Sequence, residues 1–109
     1  MLNILRSIWL VLSLTLSVPL VSDTTIPESR KQVLLNLLVQ DCGSCHGLRM
    51  KGGLGPALLP SSLSGKSAEF ITATILDGRP GTAMPPWRPL LAPAEAEWLT
   101  MILMEGKLP

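Results

Sequence analysis

Two cysteines and a histidine, Cys42-Gly43-Ser44-Cys45-His46, are the residues of this chain best placed to do chemistry. The spacing puts the two sulfurs about one helical turn apart. From there both can reach the two vinyl groups on one edge of a single porphyrin, and the histidine that follows at once falls beneath the iron. Cys-x-x-Cys-His therefore reads as the attachment site of one covalently bound haem c, with Cys42 and Cys45 as thioether anchors and His46 as proximal ligand. Other uses of these residues fit less well. A thioredoxin-like redox pair belongs beside a βαβ pattern, and no run of residues here reads as strands. A closed zinc site needs four ligands, whereas the chain holds two Cys and one His. A Cys–His nucleophile calls for a histidine on a separate segment with its own orienting partner.

A c-type haem needs a sixth ligand or an open position, and Met84 supplies the ligand. It sits in Arg79-Pro80-Gly81-Thr82-Ala83-Met84-Pro85-Pro86-Trp87-Arg88-Pro89, where prolines and glycines forbid regular structure and predict an extended loop. His/Met ligation raises the reduction potential and leaves no open position for a substrate. The remaining methionines are less suitable. Met50 follows His46 too closely and falls on the wrong side; Met101 and Met104 lie in a predicted helix, where methionine is usually core filler. Pro56, in Gly55-Pro56-Ala57-Leu58, offers a backbone carbonyl to the far ring nitrogen of His46, the arrangement that fixes a histidine ligand's tautomer and orientation. Trp87, Arg79 and Arg88 flank Met84 and are candidates to pair with the haem propionates, the plainer reading being a packing Trp and two solvated Arg.

The surrounding elements must position these groups. At 109 residues the chain makes one small domain, a size at which a covalent cofactor is a useful addition to the core. A formal charge of +1, with no basic run, gives no footprint for nucleic acid. Residues 1–22 read as a signal peptide: one positive charge at Arg6, then an apolar run from Ile8 to Val21 that is short for a membrane span. Cleavage is expected after Ser22, with Ser17 as the alternative. An uncleaved signal would leave a membrane anchor. Residues 23–33 form a leader and the start of the first helix, and residues 34–109 the haem domain. That helix begins around Pro27 and runs to Val39 or Gln40, with Val33, Leu34, Leu37 and Leu38 on one face and Asp41 and Gly43 ending it. A Gly-rich loop over 47–60 follows, with Leu54 and Leu58 walling the proximal side, then a turn over 61–65. Ser67 caps a helix from Ala68 to about Leu76, whose apolar face carries Phe70, Ile71, Thr74 and Ile75 and which Asp77-Gly78 ends. A last helix spans Ala92 to Glu105, stops at Gly106, and buries Trp98, Leu99, Ile102 and Leu103.

With these features in this order the chain resembles the small class I cytochromes c, which implies an all-α fold of a few helices around one covalently attached haem. The segments Leu38–Gly47, Lys51–Leu58 and Ile75–Trp87 are similar to cytochrome c-55X, the small periplasmic cytochrome associated with cytochrome cd1 nitrite reductase, over roughly Leu34 to Gly106. One departure is the absence from the first helix of the Gly/aromatic pair with which many class I cytochromes cross their end helices. The resemblance implies a monomeric, periplasmic one-electron carrier rather than an enzyme. It would serve dissimilatory nitrite reduction as electron donor to the cd1 reductase or as electron acceptor from a haem d1 maturation enzyme. The alternative is a haem-based enzyme or gas-binding protein in which Met84 dissociates, and the sequence offers no second histidine to act there as acid or base. The electron is expected to pass at the haem edge near the thioethers, where Gly43, Ser44 and Gly52-Gly53 are small.

Overall fold

The computed structural model describes residues 25–109, so the expected signal segment 1–22 lies outside the described residues. The architecture is helical, and no strand occurs among the described residues. Helix α1 (Glu28–Leu37) starts after Pro27, with Glu28 in its first turn. Its end differs from expectation. The chain does not break at Asp41 and Gly43; it continues through a π-helical turn, Leu38–Cys42, into the short α2, Gly43–His46. The Gly43 N–H reaches back five residues to the Leu38 carbonyl. One residue is thereby added to the turn, which rotates everything after it by about 100° relative to a continuous α-helix. The cysteine motif is thus aimed by the backbone of the helix that precedes it. Gly47, at φ +88°, ends the run.

The first helix buries Leu34 and Leu38, with Leu37 half-buried against them. Val33, expected on the same face, is instead 51% exposed. The turn expected after Pro60 is a one-turn helix, α3 (Pro60–Leu63), with Pro60 at its start and Leu63 in the core. Helix α4 (Ala68–Asp77) has the expected cap, Ser67 Oγ accepting the Phe70 N–H at 3.1 Å. Helix α5 (Pro93–Glu105) ends at Gly106 in the left-handed conformation. It packs most extensively on α4 and also touches α1 and α3. Its buried residues are Ala96, Leu99, Thr100 and Leu103; Trp98 and Ile102 are only partly covered, and Met101 points outward. Thr100, wholly buried, is satisfied twice: it donates to the Ala96 carbonyl at 2.9 Å and shares a 2.8 Å hydrogen bond with Thr72 Oγ1 of α4. A polar pair therefore fixes the α4–α5 register without leaving an orphaned hydroxyl.

Alanine at Leu34, which is fully buried where α1 meets the core, should cost about 2–5 kcal/mol in unfolding free energy. Denaturant unfolding measures it, and a loss under about 1 kcal/mol would mean that α1 is not part of the core.

Besides sharing the core, α1 and α5 are joined by an ion pair. The Arg30 guanidinium bonds both Glu95 carboxylate oxygens, and the Leu90 carbonyl as well. Glu95 in turn caps its own helix by accepting the Ala92 N–H at 2.9 Å. The hydrogen bond from Arg30 holds the Glu95 carboxyl below the usual carboxylate range, against the opposing effect of burial. A carboxylate held low in the folded state stabilises the fold above its unfolded pKa, and this contribution is lost as pH falls through the folded value. Glu95→Gln should therefore melt below wild type at neutral pH, with the gap closing as pH drops beneath the carboxylate range. A gap that stays constant between neutral pH and strong acid would contradict the linkage.

Candidate functional site

A cavity of about 470 Å³ opens between these helices. Leu38, Asp41, Cys42, Cys45 and His46 form one part of its wall, contributed by the π turn and α2. The facing elements supply Phe70, Ile71 and Ile75 from α4 and Leu99 and Leu103 from α5. The loop after α4 adds Arg79, Thr82, Met84 and Trp87. The six residues singled out from the sequence, Cys42, Cys45, His46, Pro56, Met84 and Trp87, all line this one space.

No disulfide joins the two cysteines; Cys42 is half-buried and Cys45 exposed. Burial, helped by the neighbouring Asp41 carboxylate, pushes the Cys42 thiol up to about 11. Reactive and redox cysteines are held low, as thiolates, so this environment does not suit a nucleophile. His46 Nδ1 stands 2.7 Å from the Pro56 carbonyl oxygen. A carbonyl can only accept, so Nδ1 carries the proton and Nε2 keeps the lone pair a metal would take. The loop that brings Pro56 there is tied to the motif by two backbone bonds, Gly55 N–H to the Cys45 carbonyl and Gly52 N–H to the His46 carbonyl, each 2.8 Å. Gly55 lies so close to the imidazole that a Cβ would stand 2.8 Å from Cε1 and 2.9 Å from Nδ1. No residue larger than glycine can seat the ring in this position.

Met84 is the one methionine lining the cavity among the described residues. Met50 is fully buried in the core at φ +58°, and Met104 is half-buried against the core. The Met84 loop is pinned at several points. Its carbonyl accepts the Arg79 N–H at 3.2 Å, and its N–H donates to Thr82 Oγ1 at 3.3 Å while that hydroxyl donates to the Arg79 carbonyl at 2.6 Å. Trp87 and Arg88 donate backbone N–H groups to the Ile75 and Leu76 carbonyls at the end of α4.

Some expectations need correction. Arg88 does not face the cavity: its Nε and Nη2 both bond Asp77 Oδ1, at 2.9 and 2.7 Å. Gly43 is buried beneath Leu48 rather than open at the motif's edge. Asp41 is not a helix end but a lining residue inside the π turn. Reading the sequence missed Thr82 and Lys66. Thr82 had a local signal, a hydroxyl two residues before the N–H it accepts; Lys66 comes to the cavity because α3 and α4, on either side of it, both pack on α5.

The wall fits a covalently held haem. Two thiols lie one turn apart, a histidine keeps its metal-binding nitrogen available, a thioether shares the space, and the volume is in the range of cofactor sites. An all-helical domain with these residues around one apolar cavity has the make-up of a c-type cytochrome. The family described as cytochrome C oxidase, cbb3-type, subunit III matches residues 34–101. A relative named cytochrome c55X, from Pseudomonas aeruginosa, is 52% identical over 94% of this chain and 88% of its own length. The solved structure of a c-type cytochrome named NirC superposes with a TM-score of 0.75 at 54% identity, over 77% of this chain and all of that one. The chain belongs to the cytochrome c55X family. It is also similar to a short part of a larger protein, the dihydro-heme d1 dehydrogenase of Pseudomonas aeruginosa, 41% identical over 62% of this chain and 14% of that protein.

Proposed function

We propose that the protein is a one-electron carrier in which Cys42 and Cys45 would hold a single haem c and His46 and Met84 would bind its iron. The observation that carries this reading is that one cavity collects the two thiols, the oriented imidazole and a single thioether. When bound, haem supplies a one-electron iron couple. The residues of the chain do the rest. Cys42 and Cys45 keep the cofactor from leaving, and Pro56 holds the His46 ring in one tautomer. The leucines and isoleucines of α4 and α5 exclude water. Met84, in a loop pinned on both sides, closes the position a substrate would need, which favours a carrier over an enzyme or gas-binding protein. Residues 1–22 act as an export signal, 23–33 as the leader and the start of the first helix, and 34–109 as the haem domain in the periplasm. No helix among the described residues is long and apolar enough to cross a membrane.

The electron passes at the rim beside Cys45, where Ser44 and Leu54 are exposed. The near-neutral net charge predicts docking with weak salt dependence. The family resemblance supports a part in dissimilatory nitrite reduction, and the roles proposed there are electron donor to cytochrome cd1 nitrite reductase or electron acceptor during haem d1 maturation. Similarity to the dehydrogenase named for dihydro-heme d1 supports the second role. Deleting the gene and measuring the haem d1 content of the purified reductase separates the two. Missing or immature d1 assigns the maturation role. Complete d1 with slow nitrite reduction in cells assigns the donor role. Normal d1 and normal nitrite reduction would contradict both.

A further inference from the structure

A haem brings two carboxylates with it, and the protein must meet that charge. Of the side chains lining the cavity among the described residues, the cationic ones are Lys66 and Arg79. Lys66 lies in the turn between α3 and α4, and Arg79 opens the loop that carries Met84. Both are exposed. Arg88, the other cation of that loop, is engaged by Asp77. Among the described residues the one carboxylate in the wall, Asp41, sits beside Cys42. The cavity is thus polarised, with acid at the cysteine pair and cations at the flanks of α4.

We propose, resting on the haem reading above, that Lys66 and Arg79 are positioning residues that hold the two haem propionates and thereby raise the reduction potential. A bare carboxylate near the iron favours the ferric state, and a paired cation cancels that field. The backbone bonds at these positions do not depend on the charged side chains. The Lys66 N–H donates to the Leu63 carbonyl at 3.1 Å, and Arg79 keeps its N–H to the Met84 carbonyl and its own carbonyl to Thr82. Glutamine at either site removes charge and leaves the turn and the Met84 loop in place.

The test is spectroelectrochemical measurement of the reduction potential of matured, haem-loaded proteins at fixed ionic strength. Lys66→Gln and Arg79→Gln should each lower the ferrous-to-ferric ratio at a fixed applied potential on the order of threefold, about 28 mV for one electron. Lys66→Arg and Arg79→Lys should stay at the wild-type value. The charge-neutral double variant Asp77→Asn/Arg88→Gln should stay there too. Glutamine variants at the wild-type potential would overturn the proposal. So would conservative variants that fall as far as the glutamine ones, since the role would then be packing, or a double variant that shifts as much. A wild-type chain without covalent haem would overturn the parent reading and this proposal with it; a loaded wild type with unshifted variants overturns this proposal alone.

Discussion

A Met84→Ala protein should keep its covalent haem, lose the sulfur-to-iron absorption band and bind carbon monoxide readily when reduced. Wild type should do so poorly. The expectation follows from the count of thioethers around the cavity. Met84 lines it, whereas Met50 is locked in the core, Met101 is exposed and Met104 packs against the core without lining the cavity. His46 is the only histidine in the sequence, so no other imidazole can take the vacated position. Losing the thioether also removes what raises the potential in His/Met sites. The fold should suffer little, because the Met84 loop is held by backbone bonds and by Thr82 rather than by the methionine side chain. An unchanged sulfur-to-iron band in the variant would mean that the ligand is another residue.

Gly78→Ala should produce the same spectral loss by another route, with a stability loss added. Gly78 ends α4 at φ +67° and ψ −166°, a region in effect reserved for glycine. The Met84 loop lies directly on it: a Cβ would stand 2.7 Å from the Met84 oxygen, from the Pro85 carbonyl carbon and from the Pro86 nitrogen. All three are backbone atoms, so no side-chain rotation relieves the clash. The backbone strain alone should cost about 1–3 kcal/mol. The loop must also move off the end of α4, loosening the backbone bonds from Arg79, Trp87 and Arg88. Melting temperature and the sulfur-to-iron band, read on one sample, separate the two variants: Met84→Ala loses the band with a near-normal melt, and Gly78→Ala loses both. Wild-type values in Gly78→Ala would show that the loop does not depend on that close approach.

The parts legible in the sequence are those with short-range chemical causes. Ser67 and Gly78 bracket α4 because a hydroxyl cap and a flexible stop act within one turn, and Pro93 and Gly106 do the same for α5. The reach of Pro56 to His46 was legible because the ligand's second nitrogen needs an acceptor and a Gly-Pro turn follows the motif. What stayed hidden depends on distant packing or on a backbone choice that side chains do not announce. The π turn that rotates Cys42 and Cys45 needs one residue more than an α-turn, and Leu38-Val39-Gln40-Asp41-Cys42 carries no sign of it. Val33 is apolar like Leu34 yet lies outside, and the pairing of Arg30 with Glu95, 65 residues away, where α1 meets α5 is equally silent in the sequence. Arg88 looked equivalent to Arg79 in sequence, and the pairing with Asp77 across the end of α4 distinguishes them.

Everything proposed here requires that Cys42, Cys45 and His46 carry one covalent haem. The most direct measurement is the pyridine haemochrome spectrum, with the intact mass, of protein exported in a host with a working c-type maturation system. One haem per chain, resistant to acid extraction and with both vinyl groups saturated, is the predicted result. A chain of unmodified mass, or haem that extracts freely, would contradict it.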